Sequence, residues 1–235
     1  MASTVIYRDS VPTGATKFTF SAWVKRCKIG GSQSLLGVYN NDNLRGKIRF
    51  NYNSDNKLYV WLKHPSAGEF NWYSNAEYRD ANAWYHIVVA IDTTQATASN
   101  RYKIYVNGEQ PAGTHSGIDL TQNSTSMIFG HNKHSIGNSY YNGNWEAQYF
   151  DGIMSHVHCC YGYAYQASDF GSTDSTTGEW KINTSPNVQY GTHGHFILKD
   201  GNSTTDQSGN NISLTTNGTL TKTEDCPSNV FATLN

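Results

Sequence analysis

The sequence predicts an all-β protein made of two antiparallel sheets packed face to face. Apolar residues recur with period two wherever they are dense enough to show a period, and no window of useful length carries a 3.6-residue stripe. Clusters of Asn, Asp, Ser and Gly separate these short runs within a chain of 235 residues. Many short strands with turns between them indicate a sandwich or barrel, and helix should stay below about a tenth of the chain.

The first element is the run Phe18–Lys25. Phe18, Phe20, Ala22 and Val24 point to a core, while Thr19, Ser21, Trp23 and Lys25 form a partly wet face. Ile48, Phe50 and Tyr52 alternate in the same way, Asn53-Ser54-Asp55-Asn56 supplies a turn, and Leu58, Val60 and Leu62 return as the second arm of a hairpin. Trp84–Ile91 is a β-branched strand. Tyr102, Ile104 and Val106 form another, ending at Asn107-Gly108, a dipeptide suited to the positive φ angles of a tight turn. Ile128-Phe129 and the segment Phe150–Tyr161 add strands. From about residue 173 the composition shifts to Ser, Thr, Gly and Asn, yet His195–Lys199 and Asn211–Thr215 still alternate. The organisation expected is a sandwich over residues 1–172 and a C-terminal continuation, 173–235, packing on it.

Composition narrows the function. A formal charge of -1 with no Lys/Arg cluster argues against nucleic acid, whose affinity comes from displaced counterions. The longest apolar stretches, such as Ile87–Ile91, are far shorter than the ~20 residues of a membrane helix. Met1-Ala2-Ser3-Thr4 shows no secretory pattern, so folding in a cytoplasm is expected. Cys159 and Cys160 are adjacent and pair poorly, and with Cys27 and Cys226 they are read as reduced structural thiols. His156, His158 and Cys160 fall on one strand face with His131 and His134 in the preceding loop. They are read as neutral rings lining a partly wet sheet rather than as zinc ligands. The acidic residues are scattered singly, so no metal and no cofactor is expected.

Particular strings then carry a likeness. Phe18-Thr19-Phe20-Ser21-Ala22-Trp23-Val24-Lys25, Trp84-Tyr85-His86-Ile87-Val88-Val89, Ile104-Tyr105-Val106-Asn107-Gly108 and Phe150-Asp151-Gly152-Ile153 occur in an order that resembles the concanavalin A-like lectin/glucanase superfamily, above all its LamG and pentraxin-like branch. Asp206-Gln207-Ser208-Gly209-Asn210 is similar to a D-x-S-G-N element of that family. The likeness implies a two-sheet jelly-roll sandwich. Ala167-Ser168-Asp169-Phe170-Gly171, Thr176-Thr177-Gly178-Glu179-Trp180 and the segment Thr223–Thr233 resemble LamG-type structural proteins of tailed bacteriophages, especially marine ones. That narrower likeness implies a virion component: a capsid decoration, head fibre or tail appendage, folded in the host cytoplasm and assembled on the particle or into a homo-oligomer.

Glucanases of the superfamily use an E-x-D-x-x-E string, which is missing from this sequence, and Glu146 and Asp151 are poorly spaced for a paired role. No enzymatic activity is expected. The functional signal lies in aromatic loops: His131–Tyr149, with Tyr140, Tyr141, Asn142, Asn144 and Trp145, and a second loop with Trp72 and Tyr73. Rings beside amide donors suit a sugar, and equally suit a protein paratope. Three readings stand: rings folded back over the sandwich rim, contact with other virion proteins, and attachment to host surface glycans.

Overall fold

The computed structural model of the protein describes residues 3–9, 14–64, 68–125, 133–199 and 203–227. Its strands, in chain order, begin with β1 (Val5–Arg8), β2 (Lys17–Arg26), β3 (Gln33–Asn41), β4 (Leu44–Phe50), β5 (Leu58–His64) and β6 (Gly68–Ser74). There follow β7 (Trp84–Asp92), β8 (Tyr102–Val106), β9 (Gly113–Gly117), β10 (Lys133–Ile136), β11 (Tyr140–Tyr141) and β12 (Asn144–Trp145). The last are β13 (Gly152–Tyr161), β14 (Gly171–Thr173), β15 (Trp180–Ile182), β16 (His195–Ile197) and β17 (Thr215–Asn217). Helix among the described residues is confined to the 3₁₀ turns Ala98–Asn100 and Ala167–Asp169. The Ile128-Phe129 pair and Ser228–Thr233 lie outside the described residues.

Two sheets make the sandwich. The larger runs β17-β1-β10-β3-β4-β5-β6-β9 and the smaller β16-β13-β2-β7-β8, with all pairs antiparallel. The all-β sandwich read from the period-two pattern is therefore the structure observed. β2 and β7 pair over nine residues, from Lys17 opposite Asp92 to Lys25 opposite Trp84. Phe18, Phe20, Ala22 and Val24 point inward, as predicted, and meet Leu36, Ile48, Phe50, Val60, Leu62 and Phe70 from the larger sheet. Asn107 (φ 49°) and Gly108 (φ 86°) form a two-residue turn, with Val106 and Glu109 exchanging backbone hydrogen bonds across it.

One bulge sets the facing of β13. His156 takes φ 49°, and the register against β2 shifts between Ser155 and His158. The extra residue sends Val157 and Cys159 into the core between the sheets and turns Cys160 to the other face. His158 is on that far side too, its ring stacked on Phe196 at 4.0 Å.

The far face of the smaller sheet is not partly wet, and here the sequence reading is corrected. Thr19 and Ser21 are fully buried, and Trp23 is 5% exposed. The segment after β13 covers them, bringing Ala167, Phe170 and Val188 onto Val88, Tyr105 and Cys160. The short polar side chains find partners within that cover. Thr19 Oγ1 donates to the Tyr163 carbonyl at 2.9 Å and accepts from the Tyr165 N–H at 2.8 Å. Trp180 donates its indole N–H to His86 Nδ1 at 3.0 Å, so the His86 proton sits on Nε2 and is donated to Ser21 Oγ at 2.9 Å. His86 is sandwiched between the Trp23 and Trp180 rings.

The C-terminal strands differ in part from expectation. β16 forms within His195–Lys199 and pairs with β13, but the later strand lies at Thr215–Asn217, paired with β1, rather than at 211–215. The reason is Asp206. Its carboxylate accepts the backbone N–H groups of Phe196, Ser208 and Ile212, each at 2.9 Å, drawing Ile212 out of any ladder. Burial works against that charge, but the hydrogen bonds outweigh it and hold the Asp206 carboxyl below the usual carboxylate range.

Four buried histidines lie on this side of the molecule, and burial sets their protonation. His86 is pushed down to about 3 and His195 to about 4, in both cases chiefly by desolvation, and His158 falls well below its ordinary value for the same reason. A base whose folded pKa is depressed favours folding fully above its unfolded value near 6.5, and that contribution fades as the pH falls toward the folded value. His86 and His195 should each cost about 1.4 kcal/mol per pH unit below 6.5. Urea denaturation at pH 7 and pH 5 is expected to show a clear fall in midpoint, and equal midpoints would contradict the buried neutral state of this layer.

Candidate functional site: a cationic and aromatic sheet face

The opposite flank of the sandwich is built differently. β4 reads Leu44-Arg45-Gly46-Lys47-Ile48-Arg49-Phe50. Ile48 and Phe50 belong to the core, so alternation puts Arg45, Lys47 and Arg49 side by side on the outer face of the larger sheet, about 7 Å apart. β5 sets Tyr59 opposite Arg49, Trp61 opposite Lys47 and Lys63 opposite Arg45. Tyr73 on β6 stacks on Tyr59 with ring centroids 5.5 Å apart.

A hairpin crosses this face. β11 and β12 pair Tyr140 with Trp145 and Tyr141 with Asn144, turning at Asn142 (φ 45°) and Gly143 (φ 80°). Gly37 lets the chain cross β3, since a Cβ there would stand 2.7 Å from Ser139 Cα. The crossing delivers Glu146 to Lys47, whose side chain is 7% exposed. Ser139 also donates to Glu146, and Lys47 reaches Gln148 Oε1 at 3.4 Å. The pair is asymmetric. Desolvation lowers the Lys47 pKa despite its partner, whereas the hydrogen bonds from Lys47 and Ser139 overcome desolvation at Glu146 and lower the carboxyl. Lys47 is the deeper of the two, so burial weighs more heavily on it.

The flanking arginines are held by rings. Arg45 packs over Tyr141 at 4.1 Å and Trp61 at 5.1 Å, and Arg49 over Tyr52 at 4.6 Å. Lys133 lies over Tyr7, Tyr140 and Trp145 and is paired with Asp9.

The residues singled out in the sequence divide accordingly. Tyr140, Tyr141, Asn142, Asn144 and Trp145 are brought together, but in a hairpin laid on the sheet rather than a free loop. Asn142 and Asn144 are exposed, while Trp145 is partly buried against Tyr7 and Tyr140, each at 5.1 Å. Lys133–Ile136, read as loop, is strand β10, with His134 buried in it, and His131 lies outside the described residues. Trp72 and Tyr73 are corrected as well. They sit in strand β6, Trp72 turns into the core at 6% exposure beside Gly113, and Tyr73 alone faces outward. Arg45, Lys47, Arg49 and Trp61 were missed. Their signal was the alternation of cations with apolar residues from Arg45 onward, and the second hairpin was signalled by Asn142-Gly143, the same turn dipeptide as Asn107-Gly108.

Elsewhere, a cleft of about 740 Å³ is lined by Trp23, Trp84, Trp180 and Pro111. Two of its indole N–H groups are already engaged, Trp84 with Asp225 and Trp180 with His86. Among the described residues, no group of three or more His, Cys, Asp and Glu side chains is placed to hold a metal.

Residues 3–171 match the model of the family described as the concanavalin A-like lectin/glucanases superfamily. The chain belongs to this superfamily. Solved structures with similar folds include a SAP-like pentraxin from Limulus polyphemus, 15% identical with a TM-score of 0.49, where the match covers 69% of this chain and 71% of the other. The CBM40 of Ruminococcus gnavus IT-sialidase, bound to α2,3-sialyllactose, is 16% identical with a TM-score of 0.47, covering 69% and 94%. NanB is 15% identical with a TM-score of 0.51, and 73% of this chain matches 29% of that one. At these identities the likeness concerns the fold. No curated protein matches the chain significantly.

In this superfamily member the Lys47–Glu146 pair anchors the hairpin to the sheet. Removing the carboxylate leaves a buried ammonium without its counter-charge, so Glu146→Ala should cost about 3 kcal/mol. Lys47→Met should recover much of that loss in the double variant. Thermal melting of the single and double variants checks both, and an unshifted Glu146→Ala melt would remove the anchoring role.

Proposed function

We propose that this chain is a non-catalytic carbohydrate-recognition domain carried on a bacteriophage particle, attaching it to host surface glycans through the outer face of the larger sheet. The observation that carries the reading is the outward array of Tyr52, Tyr59, Trp61 and Tyr73 beside cationic and amide side chains, with Tyr141, Asn142 and Asn144 on the overlying hairpin. Flat rings pack on the apolar faces of pyranoses, and the neighbouring donors orient hydroxyl groups. Fold alone does not specify an activity, and binding is argued from these side chains. The particle setting rests on the likeness of residues 167–171, 176–180 and 223–233 to phage structural proteins.

A second reading has its own support. Trp145 and Tyr140 pack on each other, and Tyr7 and Tyr39 pack against them, so these rings also serve as cover for the sheet. On that reading the same face docks against a neighbouring virion subunit and binds no sugar.

Trp61 separates the two. It is partly buried, and its indole N–H reaches Glu69 Oε2 at 3.1 Å. If it stacks on sugar, Trp61→Ala should weaken saccharide binding about tenfold while shifting the melting temperature little. Affinity electrophoresis through polysaccharide gels measures the first effect and calorimetry the second. A folded wild-type domain that no polysaccharide retards, yet that mass spectrometry finds in purified virions, would replace glycan attachment by the docking reading.

A further inference from the structure

Three side chains close a triangle where the chain crosses the sheet. Lys47 on β4 is paired with Glu146, and it also reaches the side-chain carbonyl of Gln148, 101 positions away, at 3.4 Å. Gln148 Nε2 donates in turn to the other Glu146 oxygen at 3.4 Å. These partners fix the orientation of the amide. An ammonium only donates, so it faces the amide oxygen, and a carboxylate only accepts, so it faces the nitrogen. The backbone is pinned on both sides, since the Glu146 N–H donates to the Ser139 carbonyl and the Ser34 N–H to the Gln148 carbonyl, each at 2.9 Å.

An amine resists attacking an amide in water at neutral pH because it is protonated and because the amide nitrogen leaves poorly. Both obstacles are lowered here. The Lys47 side chain is 7% exposed, and burial, aided by the charges of Arg49 and Arg45, lowers its pKa despite the carboxylate, which favours the nucleophilic neutral amine. Glu146 touches both nitrogens, so it can carry a proton from one to the other. Ser34, fully buried, donates its hydroxyl to Gln148 Oε1 at 3.3 Å, where negative charge develops when the carbonyl carbon is attacked.

We propose that Lys47 and Gln148 join in an intramolecular isopeptide bond, with Glu146 as the catalytic acid and base. Lys47 Nζ yields a proton to Glu146 and attacks Gln148 Cδ, whose oxygen takes the carbonyl electron pair. As that pair returns, the Cδ–Nε2 bond breaks. The proton held by Glu146 and a second one from Nζ pass to Nε2, ammonium leaves, and the carboxylate is restored. The step consumes no oxidant and no added reactant, and holding the three groups in mutual contact supplies the proximity that an external enzyme would otherwise provide. The Lys47–Glu146 ion pair is the state from which the bond forms. Once made, the bond ties the segment after the β11–β12 hairpin to β4 and restricts the unfolded chain over 101 positions. It is independent of what the face above it binds.

Tryptic peptide mapping of the purified full chain by mass spectrometry is the test. In the wild type, residues 46–49 should emerge joined to residues 134–181, with cleavage after Lys47 blocked. The joined species should weigh about 17 Da less than the sum of its two parts, the mass of one ammonia. Gln148→Met keeps the ion pair and should give the two peptides separately. Glu146→Gln removes the proton carrier at nearly unchanged shape and should also leave them separate, and circular dichroism checks that each variant is folded. Separate peptides of full mass from folded wild-type chain would overturn the bond, a result that needs no variant to fold. A loss of about 18 Da with Lys47 joined to Glu146, which is condensation with release of water, would overturn Gln148 as the partner. A bond that forms to the same extent in Glu146→Gln would overturn the catalytic role of the carboxylate.

Discussion

The structure depends on burying both faces of the smaller sheet. A sandwich of two sheets needs one apolar face from each, and β2 supplies its share with Phe18, Phe20, Ala22 and Val24. Its other face carries Thr19, Ser21, Trp23 and, from β7, His86, groups that are costly to bury unless every donor meets an acceptor. The segment after β13 meets that requirement for Thr19 and His86 through the Tyr163 carbonyl, the Tyr165 N–H and the Trp180 indole, whereas the buried Trp23 indole N–H has no hydrogen-bond partner among the described residues. Trp180 itself needs close approach to the chain, and a Cβ on Gly108 would stand 2.4 Å from its ring. The tight turn and the cover are thus one arrangement, because the glycine that adopts a positive φ is also the floor beneath the tryptophan.

With one flank closed, the binding surface proposed here is the outer face of the larger sheet. It is assembled from parts far apart in sequence: cations from β4, rings from β5 and β6, and a carboxylate from the end of the β11–β12 hairpin. Lys47 and Glu146 couple these parts, so the position of Tyr141 over Arg45 depends on an ion pair beneath it. Rigid elements carry the face, with the sheet as platform and a two-residue turn closing the hairpin.

The central strands were legible because their alternation is long and unbroken. β2, β7 and β8 carry apolar residues at every second position, and Asn107-Gly108 marks its turn by chemistry alone. β3 and β6 were not read, although Leu36, Val38, Phe70 and Trp72 all reach the core. In β3 the register shifts between Ser34 and Leu36, which breaks the two-residue period. Glycine, serine and asparagine in both runs resemble loop composition. Thr19 and Ser21 seemed wet because a single strand cannot reveal a cover contributed more than 140 residues later. The same distance hides the site. Tyr140–Trp145 stood out by composition, but its sheet partners follow from tertiary register, and Glu146 gains its meaning only opposite Lys47.

The ends of the larger sheet carry a different consequence. Its outermost strands are β17, three exposed polar residues, and β9, five residues bounded by Gly113 and Gly117, with Gly117 at φ 86°. A protein with a formal charge of -1 has little electrostatic repulsion between copies to keep it dispersed. Unpaired strand edges invite another chain to extend the ladder, and edges this short and glycine-bounded offer few consecutive hydrogen bonds to do so. Many copies held close together at high local concentration would therefore remain separate folded units rather than fuse into a continuous sheet.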